Sequence, residues 1–509
     1  MRTVNSMKNS ISSMLGYIIS ILIGIIGQKI FLKILGAEYL GLNGLFTNIL
    51  TTLGIFELGI GNAIVYNLYK PIAENKKEEV KSLMLFYKKA YNIITLVVFI
   101  FGLMLLPFLK LFIGDLTINI NIYIIYILFL LETISSYLIS YKRSLIYANQ
   151  QNYIINIIHI IYLLIINISK LLLLYLTKNY YVYIIIMIFG QIAENTIISL
   201  YATKLYPYLK EKKIMPLNKK IEKDIFNKVK ALILHKIAAV IVNGTDNIII
   251  SSFLGVITVG LYSSYNLIIS PVNSLFSQFI GSTTASVGNL IATETKEKCY
   301  QVFKRIRFLN FWLACFSGIC LLVIIQPFIK VWVGEEYLLS RLVVSTLVLN
   351  YFQKMMRNTY MAFKDSAGIW QEDKYVPLVE SLLNIVFSIL LLKIFGLAGV
   401  FMGTIISGLA LWCYSYPKYV YKKLFNRSYL DYAKETLGYI FLFILLSLLT
   451  YEISNLIIVS NPYLQVIINT LIAITIPNII LLILFRKTDN FKYFKELVQK
   501  LLKKATKRT

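Results

Sequence analysis

Leu35-Gly36-Ala37-Glu38-Tyr39-Leu40-Gly41-Leu42 returns 219 residues later as Leu254-Gly255-Val256-Ile257-Thr258-Val259-Gly260-Leu261. A second pair, Pro107-Phe108-Leu109-Lys110-Leu111-Phe112-Ile113-Gly114 and Pro327-Phe328-Ile329-Lys330-Val331-Trp332-Val333-Gly334, returns at an offset of 220. Each likeness alone is weak. Two that agree in offset, and in their place between apolar runs, mark an internal duplication. Outward from these motifs, apolar runs of about 20 residues follow one another from Ile11 to Phe485, each long enough to cross a hydrocarbon core of about 30 Å. They predict spans near 11–34, 40–66, 91–113, 118–140, 153–176, 180–202, 231–254, 259–290, 307–333, 338–363, 375–395, 397–417, 436–458 and 463–485. The expected fold class is therefore all-α integral membrane, with about fourteen transmembrane helices.

Six spans lie between the repeated motifs, so both halves run in the same direction. That makes them parallel repeats related by an axis along the membrane normal. The expected organisation is an N-lobe at 1–202, a basic cytoplasmic connection at 203–230 and a C-lobe at 231–417. Two appended spans follow within 418–485, then a basic cytoplasmic tail at 486–509.

Charge orients these spans. With the N-terminus inside, 40 of the 51 Lys and Arg fall in cytoplasmic segments, and only Lys178 and Arg341 fall in outer loops. The other nine, Lys29, Lys33, Lys110, Lys170, Lys236, Lys330, Lys354, Arg357 and Lys393, lie within spans. The positive-inside rule then places both termini in the cytoplasm. The net charge of +26 is explained by topology and by attraction to anionic lipid, so membrane lipids are expected partners and nucleic acid is not. The first run shows no Ala-x-Ala-like cleavage site and reads as a retained helix. Cys299, Cys315, Cys320 and Cys413 have no paired spacing, which supports neither a disulfide framework nor a metal site. Richness in Ile, Asn, Lys and Tyr looks like the codon bias of an AT-rich bacterium, and so points to a bacterial plasma (inner) membrane.

Polar side chains in lipid need partners or water, so their spacing shows which faces turn inward. At 100° per residue, Asn43, Thr47, Thr51, Gly54, Glu57 and Gly61 fall within an arc of about 120°. The duplicated span repeats this with Asn266, Ser270, Asn273, Ser277, Gly281 and Thr284, superposing Thr47 on Asn266 and Thr51 on Ser270. Such matched stripes suit a shared cavity, although small residues also allow close helix packing. Span 153–176 aligns Asn156, His159, Asn167 and Lys170; span 338–363 aligns Thr346, Asn350, Lys354 and Arg357; span 231–254 aligns Lys236, Asn243, Asp246 and Asn247.

A charge at mid-membrane costs roughly 2.5–3.5 kcal/mol on insertion scales. Glu57 and Asp246 are therefore candidates for coupling to an ion, with His159 as a titratable third. Lys354, Arg357 and Lys170 are candidate phosphate contacts. Their alternative is snorkelling, or pairing with Glu132, Glu194 or Glu380. Lys29, Lys33, Lys110, Lys330 and Lys393 sit near outer ends, where snorkelling is the simpler account.

The sequence contains no phosphate-cradling Gly-x-x-x-x-Gly-Lys-Ser/Thr loop and no His-Glu-x-x-His. Neither catalysis nor a cofactor is expected, and transport would draw on a proton or sodium gradient. A membrane polysaccharide polymerase or glycosyltransferase would need a substantial outer loop, whereas the longest outer loops here are a few residues. A multidrug antiporter would favour acidic, aromatic cavities. A scaffold of an export complex would leave the matched stripes unexplained.

The stretch from Gly36 to Asn75 resembles the Wzx-type polysaccharide biosynthesis flippases of the MOP exporter superfamily, relatives of MATE transporters and lipid II flippases. The carrying residues are the 35–42 motif, Glu57-Leu58-Gly59-Ile60-Gly61-Asn62-Ala63-Ile64 and Leu68-Tyr69-Lys70-Pro71-Ile72-Ala73-Glu74-Asn75. A second patch is Asp246-Asn247-Ile248-Ile249-Ile250-Ser251-Ser252-Phe253-Leu254-Gly255 with Val259-Gly260-Leu261-Tyr262-Ser263-Ser264-Tyr265. The resemblance implies alternating access by two lobes. It also implies a substrate of undecaprenyl-pyrophosphate-linked oligosaccharide, moved from inner to outer leaflet alongside polysaccharide polymerase machinery. Phosphate would fall to Lys354, Arg357 and Lys170, and sugar hydroxyls to the Asn, Ser and Thr stripes. Charged residues that line the cavity of lipid II flippases have no clear counterpart in the first half of the first span.

Overall fold

The computed structural model describes residues 2–57, 60–114, 116–211, 214–219, 221–223, 225, 240, 244–369 and 372–506. Among these the regular elements are all helical, as a lipid solvent requires of backbone groups that must be satisfied within their own segment. Ten helices among the described residues are long and apolar enough to cross a membrane. They coincide with the expected spans near 11–34, 91–113, 118–140, 153–176, 180–202, 307–333, 375–395, 397–417, 436–458 and 463–485. The chain is a multi-pass membrane protein.

The other four expected spans all carry polar stripes. Span 40–66 is divided into Ala37–Leu53 and Ile60–Ala73, with a 3-10 turn at Gly54–Glu57. Span 259–290 is divided into Val256–Gly281 and Thr284–Thr293, and span 338–363 appears as the continuous but more polar helix Arg341–Ser366. Most of span 231–254, with Lys236 and Asn243, lies outside the described residues, leaving Asp246–Leu254 as its described helix. Other helices outrun their apolar segments. Lys77–Met104 starts well before the expected span at 91, because Glu78 and Glu79 suit a helix N-terminus standing in water.

The repeated motifs share a backbone as well as a sequence. Gly36 and Gly255 have φ of +89° and +84°, and each separates two helices. Gly114 and Gly334 close the second pair of motifs, also at positive φ. Helix starts elsewhere are capped: Asn121, Asn179 and Asn461 accept backbone N–H groups with their side chains, and Ser428 and Asp431 form a capping box.

The chain divides into two compact units, Met1–Leu267 and Ile268–Thr509. In the first, Arg2–Leu35 packs on Asn152–Thr177, which packs on Tyr180–Leu205, and Ile122–Tyr137 packs on both Tyr180–Leu205 and Lys77–Met104. Leu42, Leu45, Phe46, Tyr126 and Leu130 are fully buried in its core, with Phe46 edge-on to Tyr126 at 5.4 Å between ring centroids. Ile161, Ile165, Ile168 and Leu172 form an exposed apolar row on Asn152–Thr177, as expected of a lipid-facing surface.

The boundary between units falls inside Val256–Gly281, because the repeat motifs bind the start of that helix to Ala37–Leu53. A Cβ on Gly41 would lie 1.9 Å from the Val256 carbonyl oxygen, and one on Gly260 would lie 2.1 Å from that of Ala37. Gly41 and Gly260 are equivalent in the duplication, as are Ala37 and Val256. The two contacts are one contact made twice, and only glycine permits either approach.

In the second unit Lys296–Trp332 packs on Arg341–Ser366, Pro462–Phe485 and Tyr429–Leu456, while Val376–Phe395 and Leu397–Ala410 form a close pair. Leu411–Leu424 continues the latter as a π-helix containing Pro417. Arg307 is 1% exposed. Its guanidinium donates to Glu435 (2.7 Å), Thr436 (2.8 Å) and Tyr421, tying the cytoplasmic end expected for span 307–333 to the helix of span 436–458.

Candidate functional site

The break in the polar helix of the first unit builds the site. Ala37–Leu53 ends at Gly54, whose N–H reaches the carbonyls of Leu50, Thr51 and Thr52. The following turn carries Glu57 to the wall of a cavity of about 380 Å³. Thr47, Thr51, Glu132, Ser136 and Tyr137 also line it. Within Ala37–Leu53, all of which is described, Thr47 and Thr51 alone are exposed. Their repeat equivalents Asn266 and Ser270 are exposed too.

Glu57 Oε1 accepts a 2.7 Å hydrogen bond from the Tyr91 hydroxyl. Tyr91 stacks on Tyr87, with centroids 5.1 Å apart and rings 13° from parallel. Thr51 Oγ1 donates to its own helix at the Thr47 carbonyl (2.6 Å). Asn43 is drawn inward, where its Oδ1 accepts from the Tyr180 hydroxyl at 2.7 Å. Asn273 is half-buried, and its Oδ1 is enclosed without a hydrogen-bond partner among the described residues.

The remaining candidates occupy several environments. The Lys170 ammonium lies 5.2 Å from the Tyr183 ring centroid and acts electrostatically on Glu132. Lys354 is half-buried. Arg357 Nη2 is 2.6 Å from Glu380 Oε1, with both side chains nearly dry at 12% and 7% exposure; the pairing weighed above against ligand contact is present. His159 Nδ1 lies 2.9 Å from Glu194 Oε1, which is also 3.1 Å from Arg143 Nη2. Arg143 donates to Asn195, which in turn donates to the carbonyls of Ser135 and Leu138. His159 thus belongs to a network that ties four helices. Asp246 is buried at the start of Asp246–Leu254, where the helix dipole favours an anion, and lies within electrostatic reach of Tyr262. Lys29, Lys33, Lys110, Lys330 and Lys393 are all exposed.

Several residues in the site drew no notice in the sequence. Tyr87 and Tyr91 are four apart on Lys77–Met104, a helical spacing that could have flagged them. Glu38 accepts from the Thr117 backbone N–H at 2.8 Å and from its hydroxyl; neither partner shows at a separation of 79 residues. No group of three or more His, Cys, Asp or Glu suited to a metal occurs among the described residues.

A polysaccharide biosynthesis protein profile matches residues 6–285, more than half of the chain. The chain belongs to this family. Its fold is that of the MOP-superfamily flippases and transporters. It is similar to a lipid II flippase, MurJ, in an inward closed conformation, with a TM-score of 0.66 and 17% identity over 94% of this chain and 98% of that one. An inward-facing multidrug resistance MATE family transporter of the MOP superfamily aligns with a TM-score of 0.59 and 14% identity, over 77% of this chain and 92% of that one. A Vibrio cholerae MATE transporter aligns with a TM-score of 0.53 and 13% identity, over 80% and 97% respectively. No curated protein sequence matches the chain.

Proposed function

We propose that this family member is a flippase carrying undecaprenyl-pyrophosphate-linked oligosaccharide units from the inner to the outer leaflet of a bacterial plasma membrane. It would work by alternating access, with both termini cytoplasmic, in O-antigen, capsule or exopolysaccharide biosynthesis. The observation that carries this reading is the exposure of Thr47, Thr51, Asn266 and Ser270 at duplicated positions. Hydroxyls and amides there suit sugar hydroxyls and have no use against lipid. Repeats 1–202 and 231–417 serve as the two lobes. Lys170 and Lys354 take the pyrophosphate, and Arg357 joins them only by exchanging Glu380 for phosphate. Coupling to an ion gradient falls to Glu57 before Asp246 or His159, because Glu57 faces a cavity, whereas Asp246 is buried and His159 is engaged by Glu194.

The first unit's cavity also favours a second reading. Two carboxylates with Tyr137 suit an organic cation, as a multidrug antiporter would need. Depletion of the protein separates the two. Accumulated polyprenyl-pyrophosphate oligosaccharides protected from enzymes added outside the membrane, with loss of surface polysaccharide, is the expected result. Unchanged lipid-linked pools with increased sensitivity to cationic drugs would replace the flippase reading with the antiporter one.

A further inference from the structure

We propose that the terminal helix Asp489–Thr506 is a binding site for acidic phospholipids, lying in the cytoplasmic face of the bilayer with its apolar arc against the acyl boundary and its lysines on lipid phosphates. This goes beyond the transport reading above and does not depend on it.

The helix carries the pattern of an interfacial element. At 100° per residue, Phe491, Phe494 and Leu497 fall within an arc of about 120°. Lys495 stands beyond one edge of that arc, Lys500 beyond the other, and Lys492 lies between them on the far side. The sequence continues in the same way, with Val498, Leu501 and Leu502 on the apolar side of the pattern and Lys503 and Lys504 among the polar positions. Five lysines thus stand against two carboxylates, Asp489 and Glu496. Lysines flanking an apolar face can lay their stems along the bilayer and lift their ammonium groups to the headgroups.

Packing sets the depth of the helix. Only Arg486, Lys487 and Thr488 separate it from the membrane-crossing helix Pro462–Phe485, a tether of at most about 14 Å. Thr488 Oγ1 accepts from the Phe491 backbone N–H at 3.4 Å, so the chain turns sharply there. Phe308 is edge-on to Phe485 at 5.1 Å between centroids and stacked on Phe494 at 6.4 Å. Trp312 stacks on Phe491 at 5.9 Å, while its indole N–H donates to Asn478 Oδ1 at 2.8 Å. Asn478 is seven residues before Phe485, about 10 Å into the span. The terminal helix therefore folds back beside the spanning helices and begins at the level where the last of them leaves the hydrocarbon.

These ring contacts, with the Arg305 guanidinium 4.0 Å from the Tyr493 ring centroid, all fall in the first two turns. Farther along, Leu497 is 41% exposed, and Lys492, Lys495 and Lys500 are exposed as well. Arg486 and Lys487 add two exposed cations at the tether. An apolar side chain bordered by cations gains nothing in water. At an acidic headgroup layer both are satisfied together, the leucine by the acyl boundary and the lysines by phosphate.

The test is hydrogen exchange, read by mass spectrometry on the purified full chain in nanodiscs of phosphatidylcholine alone and of phosphatidylcholine with one quarter phosphatidylglycerol. Amides of 495–506 should exchange about tenfold more slowly with the acidic lipid, and high salt should reverse part of that gain. Lys492→Gln, Lys495→Gln and Lys500→Gln combined should abolish the difference between lipids. Those side chains are exposed, and unchanged exchange across Pro462–Phe485 verifies the fold. Leu497→Gln should speed exchange in both lipids, which adhesion by charge alone would not show. Equal exchange in the two lipids, a lipid difference that survives the triple replacement, or no effect of Leu497→Gln would overturn the proposal. So would protection that rises with the number of protein copies per disc, which would assign the face to a second copy of the chain.

Discussion

The polar helix of the first repeat breaks where its duplicate runs on. Gly54 and Glu57 correspond to Asn273 and Phe276. The first pair forms a turn with a carboxylate on a cavity wall; the second lies inside the uninterrupted helix Val256–Gly281. Three pairs of charges in the second unit are closed on one another. Arg357 meets Glu380, Arg307 meets Glu435, and Lys364 meets Asp373, with at least one partner of each pair nearly dry. Duplication thus supplied one frame, and divergence divided the work. The first unit keeps an ionisable group against open space, while the second spends its charges on holding helices together.

The strongest test of that division is to break a sealed pair. Arg357→Ala strands Glu380 and should lower stability by about 3–5 kcal/mol, read as a fall in the thermal transition of detergent-solubilised protein. Arg357→Met with Glu380→Leu should recover most of it. Loss of export with no change in stability would instead move Arg357 to the substrate and dissolve the contrast.

The point at which the repeats remain alike comes next. Gly41→Ala and Gly260→Ala each force a Cβ onto a backbone carbonyl and should each cost about 1–3 kcal/mol. The double variant should fall short of the sum because both act at one contact. A large loss from one glycine and none from the other would show that the reciprocity has no energetic counterpart.

Tyr91→Phe removes a hydrogen bond to a carboxylate and should cost about 1.5 kcal/mol, with insertion intact. The control is Phe276→Tyr, which adds a hydroxyl at the uninterrupted place and should leave stability within about 0.5 kcal/mol. Smallest in stability is Thr47→Val with Thr51→Val, expected within about 0.5 kcal/mol for side chains facing open space. Export should nevertheless fall, as measured by inner-leaflet intermediates, if those hydroxyls meet sugar.

Fold class and the paired motifs were legible because apolar run length and glycine placement are local properties. Gly36 and Gly255 stood out as a repeat before their shared left-handed geometry was known. The polar stripes were also legible by period; of the helices carrying them, Asn152–Thr177 is apolar enough to cross a membrane, while Ala37–Leu53, Val256–Gly281 and Arg341–Ser366 are not among the ten that are. Side-chain pairing was less so. That Arg357 faces Glu380 could be weighed, since both were visible charges in spans, but Asn43 turning to Tyr180 depends on packing across 137 residues. Arg307 counted among cytoplasmic charges because it stands at the edge of an apolar run. Only the arrival of Glu435, Tyr421 and Thr436 over it makes it one of the most enclosed side chains in the molecule.

That enclosure has a consequence for synthesis. The partners of Arg307 lie up to 129 residues downstream, so when the ribosome has just completed the Lys296–Trp332 helix the guanidinium has nothing to bind but water and lipid headgroups. The edge of that helix must wait at the membrane surface until Tyr429–Leu456 is inserted. The terminal helices, which look like an addition to a duplicated core, are therefore the step that lets the core finish its assembly, and a chain truncated before residue 429 should be cleared by quality control rather than survive as a smaller transporter.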